Sequence, residues 1–188
     1  ELRTLDRMLD EGDWFETDPI RIGAEQELWL GDQQAKAWPH NMEVLEKLDE
    51  PETGSYTTEF AKFNLEINMA PLEFTGNCLS RMEEDLQQKV DKVRSVTEEL
   101  GGEILLTGIL PTIRKMDVDL KNMTPLQRYR ALCQAIDKLR GSDYDLRIQG
   151  MDELLMKFDS PLLEACNTGF QVHLQVGPED FVHKYNIA

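Results

Sequence analysis

Cysteine is scarce in this chain: Cys78, Cys133 and Cys166 are three among 188 residues, and none is paired by spacing. That count rules out a disulfide framework and a zinc site built from cysteine, and it fits a reducing, cytoplasmic setting. Each cysteine reads as a small buried hydrophobe. Basic charge is also short, with 20 Lys and Arg against 36 Asp and Glu, a net charge of −16. Such a balance repels nucleic acid and anionic membrane surfaces. No apolar run approaches the roughly 18 residues of a membrane span. The opening, Glu1-Leu2-Arg3-Thr4-Leu5-Asp6, is charged and helical in pattern rather than a signal peptide. There is no HExxH zinc helix, no phosphate loop and no nucleophile elbow. No repeat, low-complexity tract or Pro/Gly/Ser linker divides the chain, so residues 1–188 read as one domain.

What is present is a globular pattern, 40% hydrophobic, in which helical and extended periods alternate. Residues 2–9 and 39–48 carry helical spacing, and 50–55 read as loop. Residues 77–100 form the clearest helix, with a stripe of Leu79, Met82, Leu86, Val90, Val93 and Leu100 ended by Gly101-Gly102. Residues 103–110 read as an apolar strand. Thr124-Pro125-Leu126-Gln127 has the form of a capping box. It opens a helix expected to bury Leu126, Tyr129, Leu132, Cys133, Ile136 and Leu139 before Gly141. A short helix is expected over 152–158 and another from Pro178.

Four stretches alternate with period two: 20–30, 63–70, 144–149 and 169–176. Alternation of this kind suits a mainly antiparallel sheet with helices on one face and a polar second face, an α+β fold. Side chains two apart on a strand share a face. In the first stretch Ile20, Ile22, Ala24, Gln26, Leu28 and Leu30 share one face, and Arg21, Gly23, Glu25, Glu27 and Trp29 the other. In the second, Phe63, Leu65, Ile67 and Met69 oppose Asn64, Glu66 and Asn68. In the last, Phe170, Val172, Leu174 and Val176 oppose Gln171, His173 and Gln175. Residues 144–149 add Arg147 and Gln149.

If these strands share a sheet, one surface gathers Glu25, Glu27, Glu59, Glu66, Arg147, Gln171 and His173. Carboxylates so close repel one another, and a divalent cation relieves the repulsion. Oxygen ligands with one imidazole suit Mg²⁺ or Mn²⁺ better than zinc. The plain alternative is a set of solvated glutamates on an exposed strand face. Arg114, Lys115, Arg128 and Arg130 are the cations available to phosphate or carboxylate groups, or else helix charges paired with neighbouring acids.

Five segments in order resemble the glutamate–cysteine ligases and related carboxylate–amine ligases. They are Gly23-Ala24-Glu25-Gln26-Glu27; Glu59-Phe60 with Leu65-Glu66-Ile67-Asn68-Met69-Ala70-Pro71; Thr107-Gly108-Ile109-Leu110-Pro111-Thr112; Arg128-Tyr129-Arg130; and Thr168-Gly169-Phe170-Gln171-Val172-His173-Leu174. The resemblance implies a curved sheet like that of glutamine synthetase. It implies ATP and Mg²⁺ or Mn²⁺ as cofactors, with Glu25, Glu27, Glu66 and His173 as metal ligands and Glu59 and Gln171 beside nucleotide or metal. Arg128 and Arg130 would meet an anionic group. The implied reaction joins the side-chain carboxylate of glutamate to an amine such as cysteine through an acyl phosphate, a step of glutathione biosynthesis. Members of that family are longer, so the chain is expected to be the N-terminal portion of a ligase domain that does not complete the site alone. A non-catalytic binding module on the same sheet, and a metal-dependent hydrolase, remain alternatives. A homo-oligomer is compatible with the sequence.

Overall fold

The computed structural model describes residues 1–48, 54–159 and 161–188. Its centre is β1 (Arg21–Gly31), whose length and alternation let it pair along both edges. On one edge lie β3 (Asn64–Asn68), flanked by β2 (Tyr56–Thr58), and the short β4 (Leu72–Glu73). On the other lie β5 (Glu103–Leu105) and β8 (Phe170–Leu174). Every pairing in this six-stranded sheet is antiparallel. The fold is therefore α+β with a mainly antiparallel sheet. Residues 50–53 of the expected loop lie outside the described residues.

Helices α2 (Asn41–Leu48) and α3 (Cys78–Glu99) cover one face. Leu28 and Leu30 of β1 and Leu65 and Ile67 of β3 are buried there with Val44, Leu48, Val90 and Val93. Ile22, Ala24 and Met69 extend this layer onto Cys78 and Met82. Leu79, expected in the stripe of α3, is 57% exposed because Cys78 and Met82, one turn apart, take the positions facing the sheet and Leu79 falls off that face. The helix ends where Gly101 adopts φ +88° and the Gly102 N–H closes on the Thr97 carbonyl at 3.0 Å. A side chain disfavours that left-handed conformation.

The second face is not simply wet. At its Trp29 end a separate core forms from Trp29, Phe60, Phe63, Leu110, Val118, Cys133, Phe158 and Leu162. Phe63 was expected among the helix-facing residues. It precedes the strand, in the turn before Asn64, and stacks on Trp29 with ring centroids 5.2 Å apart.

Other expectations are corrected. β6 (Tyr144–Gln149) and β7 (Glu153–Phe158) form a separate antiparallel ribbon, so the helix expected over 152–158 is replaced by strand from Glu153. Leu154, Met156 and Phe158 fall opposite Ile148, Leu146 and Tyr144, a period of two that pairing with β6 rewards. Arg147 accordingly leaves the sheet surface and pairs with Glu153 at 2.6 Å. Only 103–105 of the expected 103–110 strand is strand. Helix α4 begins at Gln127, without a side-chain cap, and runs to Arg140. The Thr124 hydroxyl instead donates to the Glu59 carbonyl at 2.6 Å and accepts from the Asn41 amide at 2.9 Å. Of the expected α4 core only Cys133 is buried, and Leu132 and Leu139 are exposed. Phe170, Val172 and Leu174 are 48%, 55% and 42% exposed, while α3 packs chiefly against β3, β4 and β5. Helices α1 (Leu2–Glu11) and α5 (Pro178–Tyr185) complete the chain without buried residues. Among the described residues no helix is long and apolar enough to cross a membrane.

Candidate functional site

Between the Trp29 core and the open end of the sheet, the register of three strands brings acids together. Glu27 lies opposite Glu66, and Glu66 lies opposite Thr57. Residues opposite one another in an antiparallel pair share a face. Glu59, on the segment just after β2, joins them. One carboxylate oxygen each from Glu27, Glu59 and Glu66 lie within 4.8 Å of one another, and all three residues are half-buried.

The electrostatics show the strain of this company. The Glu59 carboxyl is pushed up to about 7. Burial is the main cause, followed by a hydrogen bond with Glu66, its charge and that of Glu27; the Phe60 N–H opposes the rise. Each remaining carboxylate is held by dipoles. Glu66 accepts from the Thr57 hydroxyl at 2.8 Å and the Asn68 amide at 2.9 Å. Glu27 accepts from the Gly169 N–H at 2.8 Å and the Gln171 amide at 3.2 Å. Gln171, expected beside nucleotide or metal, thus spends its amide on Glu27.

The depression beside Glu27 and Glu59 is also lined by Phe60, Asn64 and Gln171. Asn64 is 1% exposed, and neither polar atom of its side chain has a partner among the described residues. A buried amide left unsatisfied is costly, so a polar ligand in this depression would have a waiting partner.

Glu25 and His173 form a neighbouring unit. Glu25 lies opposite Gln171 and Asn68, His173 opposite Gly23, and His173 Nε2 stands 3.6 Å from a Glu25 oxygen. They border a second depression with Gly23 and Asn68. The expected ligands therefore fall into two adjacent groups, Glu27–Glu59–Glu66 and Glu25–His173.

The arginines of α4 stand apart from these groups. Arg128 Nη2 donates to the Thr58 carbonyl at 3.0 Å and hydroxyl at 2.9 Å, and its guanidinium lies 4.6 Å from the centre of the Tyr129 ring. The Tyr129 hydroxyl donates to the same carbonyl at 2.8 Å. Arg128 thereby ties α4 to the segment carrying Glu59. Arg130 is exposed.

Sequence reasoning placed Asn64 on this face but missed Thr57 and the Gly169 N–H. Asn68 was already on the right face by period two. Thr57 needed the β2–β3 register, which no local pattern contains.

The sequence profile of Glutamate-cysteine ligase family 2 (GCS2) matches residues 21–186. No curated protein and no solved structure matches the chain. The profile spans nearly all of the chain, which therefore belongs to this family of ligases.

Proposed function

We propose that, as a member of glutamate-cysteine ligase family 2, this chain presents the cation- and ATP-binding surface of a carboxylate–amine ligase. Its substrates would be the side-chain carboxylate of glutamate, or a similar carboxylate, and an amine such as cysteine. The observation that carries the reading is the convergence of Glu27, Glu59 and Glu66 inside the stretch that the family profile covers.

The donor set fits a hard divalent cation. It is all oxygen, and burial beside Glu66 and Glu27 pushes the Glu59 carboxyl up to about 7. Glu27 and Glu66, with Glu59 beside them, would hold Mg²⁺ or Mn²⁺, and Glu25 with His173 would contribute to a second, adjacent position. Bound there, such ions would offset the charge of the ATP phosphates.

The chain's own groups do the positioning. Thr57 and Asn68 fix the Glu66 carboxylate, and Gly169 and Gln171 fix that of Glu27. Phe60, part of the Trp29 core, lines the depression beside Glu27 and Glu59. Asn64 offers an amide to substrate. Arg130 is the cation left for an anionic substrate group, while Arg128 anchors the Glu59 segment.

In the reaction, the glutamate carboxylate takes the terminal phosphoryl group of ATP and ADP leaves. The amine then forms the C–N bond as the C–O bond to phosphate breaks, releasing phosphate and the amine proton. The product is a γ-glutamyl amide of the kind used in glutathione biosynthesis. The free, buried Cys78, Cys133 and Cys166 agree with a reducing cytoplasm. The sheet would be of the glutamine synthetase kind, and residues 1–188 the N-terminal portion of the catalytic domain.

Calorimetric titration of MgATP, with Glu66→Gln as control, tests the binding half. ADP release that requires both glutamate and an amine tests the chemistry. ATP binding indifferent to Glu27, Glu59 and Glu66 would reduce the sheet to a scaffold. Phosphate release from an ester without an amine would favour a hydrolase.

A further inference from the structure

A cavity of about 620 Å³ lies between the β6–β7 ribbon and the body of the molecule, within the size range of small-molecule sites. The ribbon is amphipathic. Its outer face carries the ion pairs Arg147–Glu153 and Lys157–Asp145. Its inner face roofs the cavity with the cross-strand pairs Leu146–Met156 and Ile148–Leu154, and Ile113 and Ile136 lie across from them. Phe158, 6% exposed, pins the base of the ribbon into the Trp29 core, while Ile148 at the far end is 53% exposed. The space is therefore closed at one end and open at the other.

Polar groups break the apolar lining, Asn167 among them. Arg114 and Lys115, both exposed, border it, with the Lys115 ammonium 5.7 Å from the centre of the Phe158 ring. The Tyr144 hydroxyl is buried there and has no hydrogen-bond partner among the described residues. Glu164 is the acid in the lining, and it also borders the depression beside Glu27. In a chain of net charge −16, two adjacent cations on an apolar cavity favour an anionic ligand.

We propose that this cavity binds a small carboxylate with an extended apolar body. The body lies under the ribbon, the carboxylate meets Arg114 and Lys115, and the Tyr144 hydroxyl supplies a polar partner within. The site uses none of Glu27, Glu59 or Glu66 and goes beyond the ligase reading, so either can fail alone.

The test is calorimetric titration of straight-chain carboxylates from butanoate to octanoate. Affinity should rise about three- to fourfold per added methylene. The double variant Arg114→Glu/Lys115→Glu should weaken octanoate by about tenfold or more, the worth of a lost charge-assisted hydrogen bond. Ile148→Asp, at the exposed end of the ribbon, should weaken it similarly. Val182→Glu, an exposed position on α5 outside the cavity, should leave it unchanged. Three results would overturn the proposal: octylammonium binding as tightly as octanoate, octanoate binding indifferent to both cavity variants or lost in Val182→Glu, or displacement of octanoate by ATP. The last would make the cavity a nucleotide-base site.

Discussion

Glu59 sets the pH behaviour of the site. Its carboxyl, pushed up from 4.5 to about 7 by burial and by Glu66 and Glu27, binds its proton more tightly folded than unfolded. Below 4.5 both states are protonated and the group contributes nothing. As pH rises from there to about 7 the unfolded chain sheds the proton first, so without a cation Glu59 makes folding progressively less favourable. The thermal midpoint of Glu59→Gln should therefore gain on that of the wild type between pH 5 and pH 8. A divalent cation needs the carboxylate form. Its binding at pH 6 should release close to one proton, read from calorimetry in buffers of different ionisation enthalpy. Thr57 makes a separate prediction. Thr57→Val removes one of two donors on Glu66 and should weaken Mn²⁺ binding by about tenfold, with Thr57→Ser restoring it. The acids on the strands were legible because Glu25 and Glu27 sit two apart, and Glu66 opposite an apolar face, on alternating strands. The proton on Glu59 was not, since burial and neighbours decide it and neither is local.

Elements were legible where one face met one core. On β1 and β3 the expected core residues Ile22, Ala24, Leu28, Leu30, Leu65 and Ile67 are buried against the helices, while Gln26 is only half-buried. The pattern failed where a second core intervened. Trp29 sits on the acidic face yet is fully buried, and Phe63 turns to stack on it, because Leu110, Val118, Cys133, Phe158 and Leu162 cover that end of the sheet. Asp152-Glu153-Leu154-Leu155-Met156 reads as helix by composition, and cross-strand pairing with β6 overrides that preference. The apolar face of β8 reads as core and is exposed, since no period reports how far α3 reaches. The end of α3 offers a clean test. Gly101→Ala forces a side chain into φ +88° and should destabilise the fold by about 1 kcal/mol. Denaturant unfolding should show that loss while Mn²⁺ affinity stays unchanged.

Charge acts on the molecule as a whole. At −16 the chain repels itself, and its exposed acids are screened by salt. The thermal midpoint should rise as NaCl is added, with Mg²⁺ outdoing a matched ionic strength of NaCl, because only the divalent ion also binds the folded acids. Glu27, Glu59 and Glu66 differ from the other acids by convergence. The most direct measurement is Mn²⁺ binding followed by electron paramagnetic resonance in the wild type, Glu27→Gln, Glu66→Gln and the remote Glu153→Gln. Convergence of the three acids on a cation predicts tight binding in the wild type and in Glu153→Gln, and a loss of about tenfold or more in the other two. Equal binding across all four proteins would contradict it.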